Sequence, residues 1–135
     1  MTAATPHPFL RYGPAVVMTL LIPVLSLLPA HFFAPVSAPL PPLPGLDKLI
    51  HAMLYAALTA AYLHALAPAR RSNLTAFLLI AASATLYGVA MEVCQSLFTD
   101  SRTLDPLDAL ANLSGAFAIA LFSYAACRDG KRKPV

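Results

Sequence analysis

Charged residues are scarce in this chain. Only 11% of its 135 residues are Asp, Glu, Lys or Arg, whereas 59% are hydrophobic and the mean hydropathy is +0.69. Soluble domains carry about a quarter charged residues, so this chain has too few to cover a water-facing surface. The composition therefore excludes an ordinary soluble domain and indicates an integral membrane protein with one domain, residues 1–135.

Cysteine is nearly absent as well. The two thiols, Cys94 and Cys127, fall in apolar segments, near opposite ends of their predicted helices. A disulfide needs α-carbons within about 7 Å, so we predict two buried free thiols. The sequence also lacks a CxxC pattern, a glycine-rich phosphate loop, a GxSxG motif and an internal repeat. It therefore predicts no cofactor.

What the chain does contain is long apolar runs. They predict an all-α polytopic bundle of four transmembrane helices, because about 20 apolar residues suffice to cross a bilayer. Pro23 and Pro29 should kink the first helix, residues 34–45 should form an extended proline-rich connector, and the basic tail should be frayed. A cleaved signal peptide is the alternative for the first run, since residues 36–38 resemble a cleavage site. The predicted helices cover 14–33, 47–66, 74–97 and 105–127.

The basic residues orient these spans. With four spans, seven of the nine basic residues lie on the side that holds both termini. The positive-inside rule then places the N- and C-termini of a multi-pass protein in the cytoplasm. The basicity thus reflects topology, and no nucleic-acid partner is expected. The seven residues are Arg11, Arg70, Arg71, Arg128, Lys131, Arg132 and Lys133.

Polar residues concentrate at the opposite, outer end of the predicted bundle. Asp47, His51 and Tyr55 are spaced i, i+4, i+8 and line one stripe of the second helix. Polar stripes face a bundle interior or a wet cavity rather than lipid, so we predict that three helices converge on one cup. Gly88 and Gly115 lie on the same faces and should let the helices pack closely. The candidate site residues are Asp47, Lys48, His51, Tyr55, Glu92, Gln95, Arg102, Asp105, Asp108 and Asn112.

Several of these residues also have structural explanations. Asp105 precedes a proline and has the form of a helix N-cap, and Asp47 has a similar position in the second helix. Gln95 and Asn112 can knit helices together, as amides do in membranes. Glu92 is hardest to explain in this way, because it lies inside a helix and an ionised carboxylate there needs a partner. Its candidate partners are Lys48, His51 and Arg102.

The order and spacing of these residues resemble the VanZ-like family of small bacterial membrane proteins. The resemblance rests on Asp47-Lys48-x-x-His51-x-x-x-Tyr55, then Glu92-x-x-Gln95, Arg102, and Asp105-x-x-Asp108-x-x-x-Asn112-x-x-Gly115. It covers about residues 47–120. It implies a polytopic protein of the bacterial cell envelope, located in the inner membrane. It also implies a link to glycopeptide resistance of the teicoplanin type, with which the family's founding member is associated. It implies no particular reaction.

Two functions follow from the cup. The first is binding of an anionic lipid or a lipid-linked envelope precursor, with Lys48 and Arg102 on its phosphate or carboxylate and the acids on hydroxyls or amines. The second is an enzyme on such a substrate, a hydrolase or transferase in which His51 and Glu92 form the acid/base pair.

Other classes are less well supported by the sequence. His51 could join Asp47, Glu92 and either Asp105 or Asp108 around a divalent cation, but no local ligand pair such as HExxH is present, and we predict no metal. A transporter is disfavoured by the lack of repeat symmetry. A structural or accessory membrane protein that acts through partner proteins is the main alternative. The sequence predicts no particular oligomeric state.

Overall fold

Four helices make up the described part of the chain. The computed structural model describes residues 7–27, 45–66, 73–99 and 104–132, with side chains as far as 129. Helix α1 spans Pro8–Leu27, α2 Leu46–Ala65, α3 Leu74–Phe98 and α4 Pro106–Arg132. The all-α prediction is confirmed. Pro29, residues 34–44 of the connector, the 67–72 turn and Arg102 lie outside the described residues.

The predicted boundaries hold for α2 and α3 to within one residue at each end. They fail at the two chain ends. Helix α1 begins at Pro8 rather than at residue 14, because proline is well suited to the first helical position, and it continues through Pro23. Helix α4 continues to Arg132, so the prediction of a frayed tail is wrong up to that residue.

Local capping explains where the helices begin. The Asn73 side chain caps α3, because it accepts a hydrogen bond from the amide of Thr75 at 2.9 Å. The Asp105 Oδ1 atom does the same for α4 at 2.8 Å. The prediction that Asp47 caps α2 is wrong. Gly45 is the N-cap, with a left-handed φ of 78° and no side-chain cap, and Asp47 lies in the first turn.

The four helices alternate in direction. Contacts between Ser26 and Gln95 join α1 and α3 at one end, and contacts between Arg11 and Ala65 join α1 and α2 at the other. The most extensive packing is between α2 and α4, followed by α3 on α4, and α1 packs mainly on α2. The buried apolar core includes Ile22, Leu58, Phe77, Ala81, Ala84, Ala116 and Ala120.

Two glycines allow the helices to approach closely. A Cβ atom on Gly115 would overlap the carbonyl oxygen of Ala52 and lie 2.7 Å from its carbonyl carbon, so α4 touches the α2 backbone directly. A Cβ atom on Gly88 would lie 2.9 Å from atoms of both Asn112 and Tyr55. The prediction that small residues at these positions permit close packing is confirmed.

Three helices in the described ranges are long and apolar enough to cross a membrane: Pro8–Leu27, Leu74–Phe98 and Pro106–Asp129. Helix α2 is not among them, because Asp47, Lys48, His51 and His64 lower its hydropathy. It is nevertheless packed against all three of the others. That α2 crosses the membrane, and that both termini are cytoplasmic, stay predictions.

Candidate functional site: a polar cluster at one end of the bundle

Six of the ten predicted site residues meet at one end of the bundle. They come from the first turns of α2, the last turns of α3 and the start of α4, which the alternating helix directions bring together. We call this group the polar cluster. Its members are Asp47, Lys48, His51, Glu92, Asp105 and Asp108.

The rim of the polar cluster is an ion-pair network centred on Lys48. The ammonium nitrogen lies 2.8 Å from Asp47 Oδ2, 2.5 Å from Asp105 Oδ2 and 2.6 Å from Asp108 Oδ1. An ammonium has three donors, and here three carboxylates face them. The hydrogen bond from Lys48, and next the Leu107 amide, hold the pKa of Asp105 below its usual range. Because the protein already balances its charge, Lys48 is poorly placed for the predicted role of holding a ligand phosphate.

Beneath the rim, His51 and Glu92 form the floor of the polar cluster. The His51 Nδ1 atom lies 3.2 Å from Glu92 Oε1 and 4.0 Å from Asp108 Oδ1. The Glu92 side chain is only 6% exposed, against 15% for His51 and for Asp108. The short contact from Nδ1 does not have the angles of a hydrogen bond, and that atom is buried. The predicted partnership of His51 with Glu92 is observed, and their use as an acid/base pair stays a prediction.

A third layer lies one turn deeper. It consists of Tyr55, Gly88 and Asn112, which lie four residues along their helices from His51, Glu92 and Asp108 in that order. Asn112 is fully buried, and neither atom of its amide has a hydrogen bond within the described ranges. A buried amide without partners costs about 1–3 kcal/mol. Such a cost marks Asn112 as a candidate for contact with a ligand or for a functional change of partner.

The last two predicted site residues, Gln95 and Arg102, are placed neither in the polar cluster nor in the layer beneath it. The Gln95 amide donates to the backbone carbonyl of Ser26 at 3.0 Å, which ties α3 to α1 and favours its structural explanation. Arg102 lies outside the described residues, so its role as an anion contact stays a prediction. The sequence analysis named candidate partners for the Glu92 carboxylate. Of these, His51 contacts Glu92, and Lys48 contacts other carboxylates.

Thr59 is a buried polar residue that was not among the predicted site residues. This residue is fully buried, and its hydroxyl lacks a hydrogen bond among the described residues. It continues the i, i+4 stripe of Asp47, His51 and Tyr55 by one more turn, and that spacing would have found it. Two other tyrosines, Tyr62 and Tyr87, make hydrogen bonds to the hydroxyl and the backbone carbonyl of Thr19 in α1, at 2.9 and 2.7 Å.

The polar cluster is acidic and lies beside exposed apolar side chains. Three of its carboxylates face one lysine, which leaves a negative excess among these residues. Large apolar side chains flank it on all three helices: Leu49, Ile50, Met53, Leu97, Phe98, Leu107 and Leu110 are each exposed by 48% or more. In a bundle with membrane-spanning helices, this places a negative polar site next to the acyl region.

No protein-family model, curated protein or solved structure matches this chain. The resemblance to the VanZ-like family therefore stays a prediction, carried by the residues of the polar cluster and their spacing.

Proposed function

We propose that this chain is a bacterial cell-envelope membrane protein whose polar cluster binds the polar head of a membrane lipid or lipid-linked envelope precursor. The observation that carries the proposal is the graded burial of the polar cluster. Its rim is partly exposed, its floor is buried, and apolar side chains surround it. A headgroup can enter such a site while its acyl chains remain in the membrane.

The charge of the polar cluster indicates which headgroup chemistry it would bind. Three carboxylates around a neutralised Lys48 fit hydroxyl or amine donors of a headgroup better than a bare phosphate. A sugar or an amino group would face Asp47, Asp105 and Asp108, and a phosphate would need a separate cation. Arg102 is the residue that the sequence offers for that contact. The proposed ligand is thus an anionic lipid whose headgroup also carries hydroxyls or an amine.

Native mass spectrometry from mild detergent tests this function. We expect the wild type to retain a defined lipid, and Glu92→Gln and Arg102→Ala to lose it while still folding. The matched control is Asp129→Asn, which removes an exposed carboxylate near the C-terminal end of α4, far from the polar cluster. Equal lipid retention in all four proteins, or none in the wild type, would refute the proposal.

A structural role is the second candidate, and the Lys48 network favours it. That network joins α2 to two carboxylates of the α4 start, as a purely stabilising contact would. Under this alternative, Glu92→Gln would lower folded yield and membrane insertion together. Under the proposed function, the folded yield stays near that of the wild type and only the lipid is lost.

A further inference from the structure

We propose that His51, Glu92 and Asp108 bind one divalent transition-metal ion, with Zn²⁺ as the best-fitting probe. The proposal concerns a metal site beyond the lipid-binding function. It rests on the geometry of three side chains from three helices.

The first argument is distance. One donor atom from each of the three side chains lies within 4.8 Å of the other two. Ligands about 2.1 Å from a tetrahedral Zn²⁺ lie roughly 3.4 Å from one another. The observed separations from His51 Nδ1, 3.2 Å to Glu92 and 4.0 Å to Asp108, bracket that value. The spacing of the three donors is therefore close to that of a three-ligand metal site.

The second argument is the state of the donor atoms. His51 Nδ1 and Asp108 Oδ1 are inaccessible to solvent and make no hydrogen bond of good geometry among the described residues. His51 Nδ1 approaches Glu92 at 3.2 Å and Asp108 at 4.0 Å, and Asp108 Oδ1 forms an ion pair with Lys48 at 2.6 Å. Buried polar atoms normally have directional partners. A metal ion would supply that partner to His51 Nδ1 and would replace Lys48 at Asp108 Oδ1.

The third argument is charge and ligand type. The carboxylate excess of the polar cluster attracts a dication, and two charges would offset much of it. One imidazole with two carboxylates suits Zn²⁺ or Mn²⁺ better than Mg²⁺ or Ca²⁺, which prefer oxygen ligands. Zn²⁺ binds such sites more tightly than Mn²⁺. Three protein ligands leave an open position for water or a ligand oxygen.

Lys48 would compete with the metal ion for the Asp108 carboxylate. Its ammonium lies 2.6 Å from Asp108 Oδ1, the atom that the metal would take. Metal binding must move Lys48 off Asp108, and Asp47 and Asp105 remain to hold it. This contact predicts an effect of opposite sign to loss of a ligand: Lys48→Met should tighten metal binding.

The test uses the untagged full chain, stripped of metal and kept in detergent micelles. Zn²⁺ is titrated against a chromophoric chelator, and bound metal is counted by mass spectrometry. We expect one Zn²⁺ per chain, about 100-fold weaker binding in His51→Ala and Asp108→Asn, and about tenfold tighter binding in Lys48→Met. His64→Ala is the matched control, because it removes an exposed histidine at the other end of the same helix.

Two results would overturn the metal site. One is a folded wild type that binds no stoichiometric Zn²⁺ or Mn²⁺. The other is a set of variants in which His64→Ala weakens binding as much as His51→Ala, or Lys48→Met fails to tighten it. Lipid retention measured with and without chelator separates the two proposals. A wild type that retains the lipid but binds no added Zn²⁺ or Mn²⁺ refutes only the metal site, whereas one that binds the metal but retains no lipid, with or without chelator, refutes only the lipid function.

Discussion

The contact between α2 and α4 and the attachment of α1 are built in different ways. Helix α4 meets the α2 backbone at Gly115, and the Lys48 network joins the same two helices. Helix α1 is held by a few hydrogen bonds to hydroxyls and carbonyls, and most of its large apolar side chains are exposed. Helix α1 also places Ile22 in the buried core, so the two attachments differ in kind: backbone contact and ion pairs for α4, buried side chains and hydrogen bonds for α1.

The largest expected effect is at the α2–α4 contact. Gly115→Val would drive a side chain into the Ala52 carbonyl, and backbone cannot give way as a side chain can. Overpacking ordinarily costs about 1–3 kcal/mol, so we expect at least that loss here, and little folded protein. Folded yield and thermal unfolding by circular dichroism measure it.

The matched control for Gly115→Val is in α1. A Cβ atom on Gly13 would lie 3.9 Å from the Phe9 ring, an ordinary contact. Gly13→Ala should therefore leave stability unchanged or raise it slightly, by about 0.5–1 kcal/mol. A Gly115→Val protein that unfolds at the same temperature as Gly13→Ala would contradict the close approach of α2 and α4.

The next effect is at Asn112, beneath the polar cluster. Asn112→Leu removes a fully buried amide that has no hydrogen bond among the described residues. We expect the free energy of unfolding to rise by about 1–2 kcal/mol while lipid retention falls. The capping amide Asn73 gives the contrast, since Asn73→Ala should lower stability by about 1 kcal/mol. A loss in both variants would mean that Asn112 has a stabilising partner.

A smaller effect is expected from the ion pairs at the rim. Lys48→Met leaves Asp105 and Asp108 facing each other without the ammonium between them. The melting temperature should fall, and it should fall less at high salt, because the rim is solvent-accessible and salt screens the repulsion. Adding Asp105→Asn to Lys48→Met should recover part of the loss. If the double variant melts lower still, the network is not what joins α2 to α4.

The smallest effect is expected at the α1 attachment. Thr19→Val removes the hydrogen bond between the Thr19 hydroxyl and Tyr62, which lies at 2.9 Å. Such bonds between helices in membranes contribute about 0.6 kcal/mol. Stability should drop by about that amount, with no change in lipid retention or Zn²⁺ affinity. A large change in either would mean that α1 helps to position the site.

Much of this organisation was predictable from short-range patterns. Helical spacing correctly grouped Asp47 and His51 with the acids of the next two helices, and the aspartate-proline pair correctly marked the start of α4. Chain ends were predicted less well, because apolar runs reveal lipid-compatible length and not where a helix begins in polar sequence. Thus Pro8 and Arg132 extend helices beyond their apolar runs.

What the amino-acid sequence determined by itself was the fold class, the four helices and the positions of the polar residues along them. These depend on hydropathy and helical periodicity, which are local properties. Only the tertiary structure decided the partners. In it, Lys48 forms ion pairs with three carboxylates, Glu92 contacts His51, and Gln95 donates a hydrogen bond to α1. These pairings depend on which helices pack together and how closely, as in the approach of α2 and α4 at Gly115, and such contacts between residues far apart in the chain are not encoded in any local pattern.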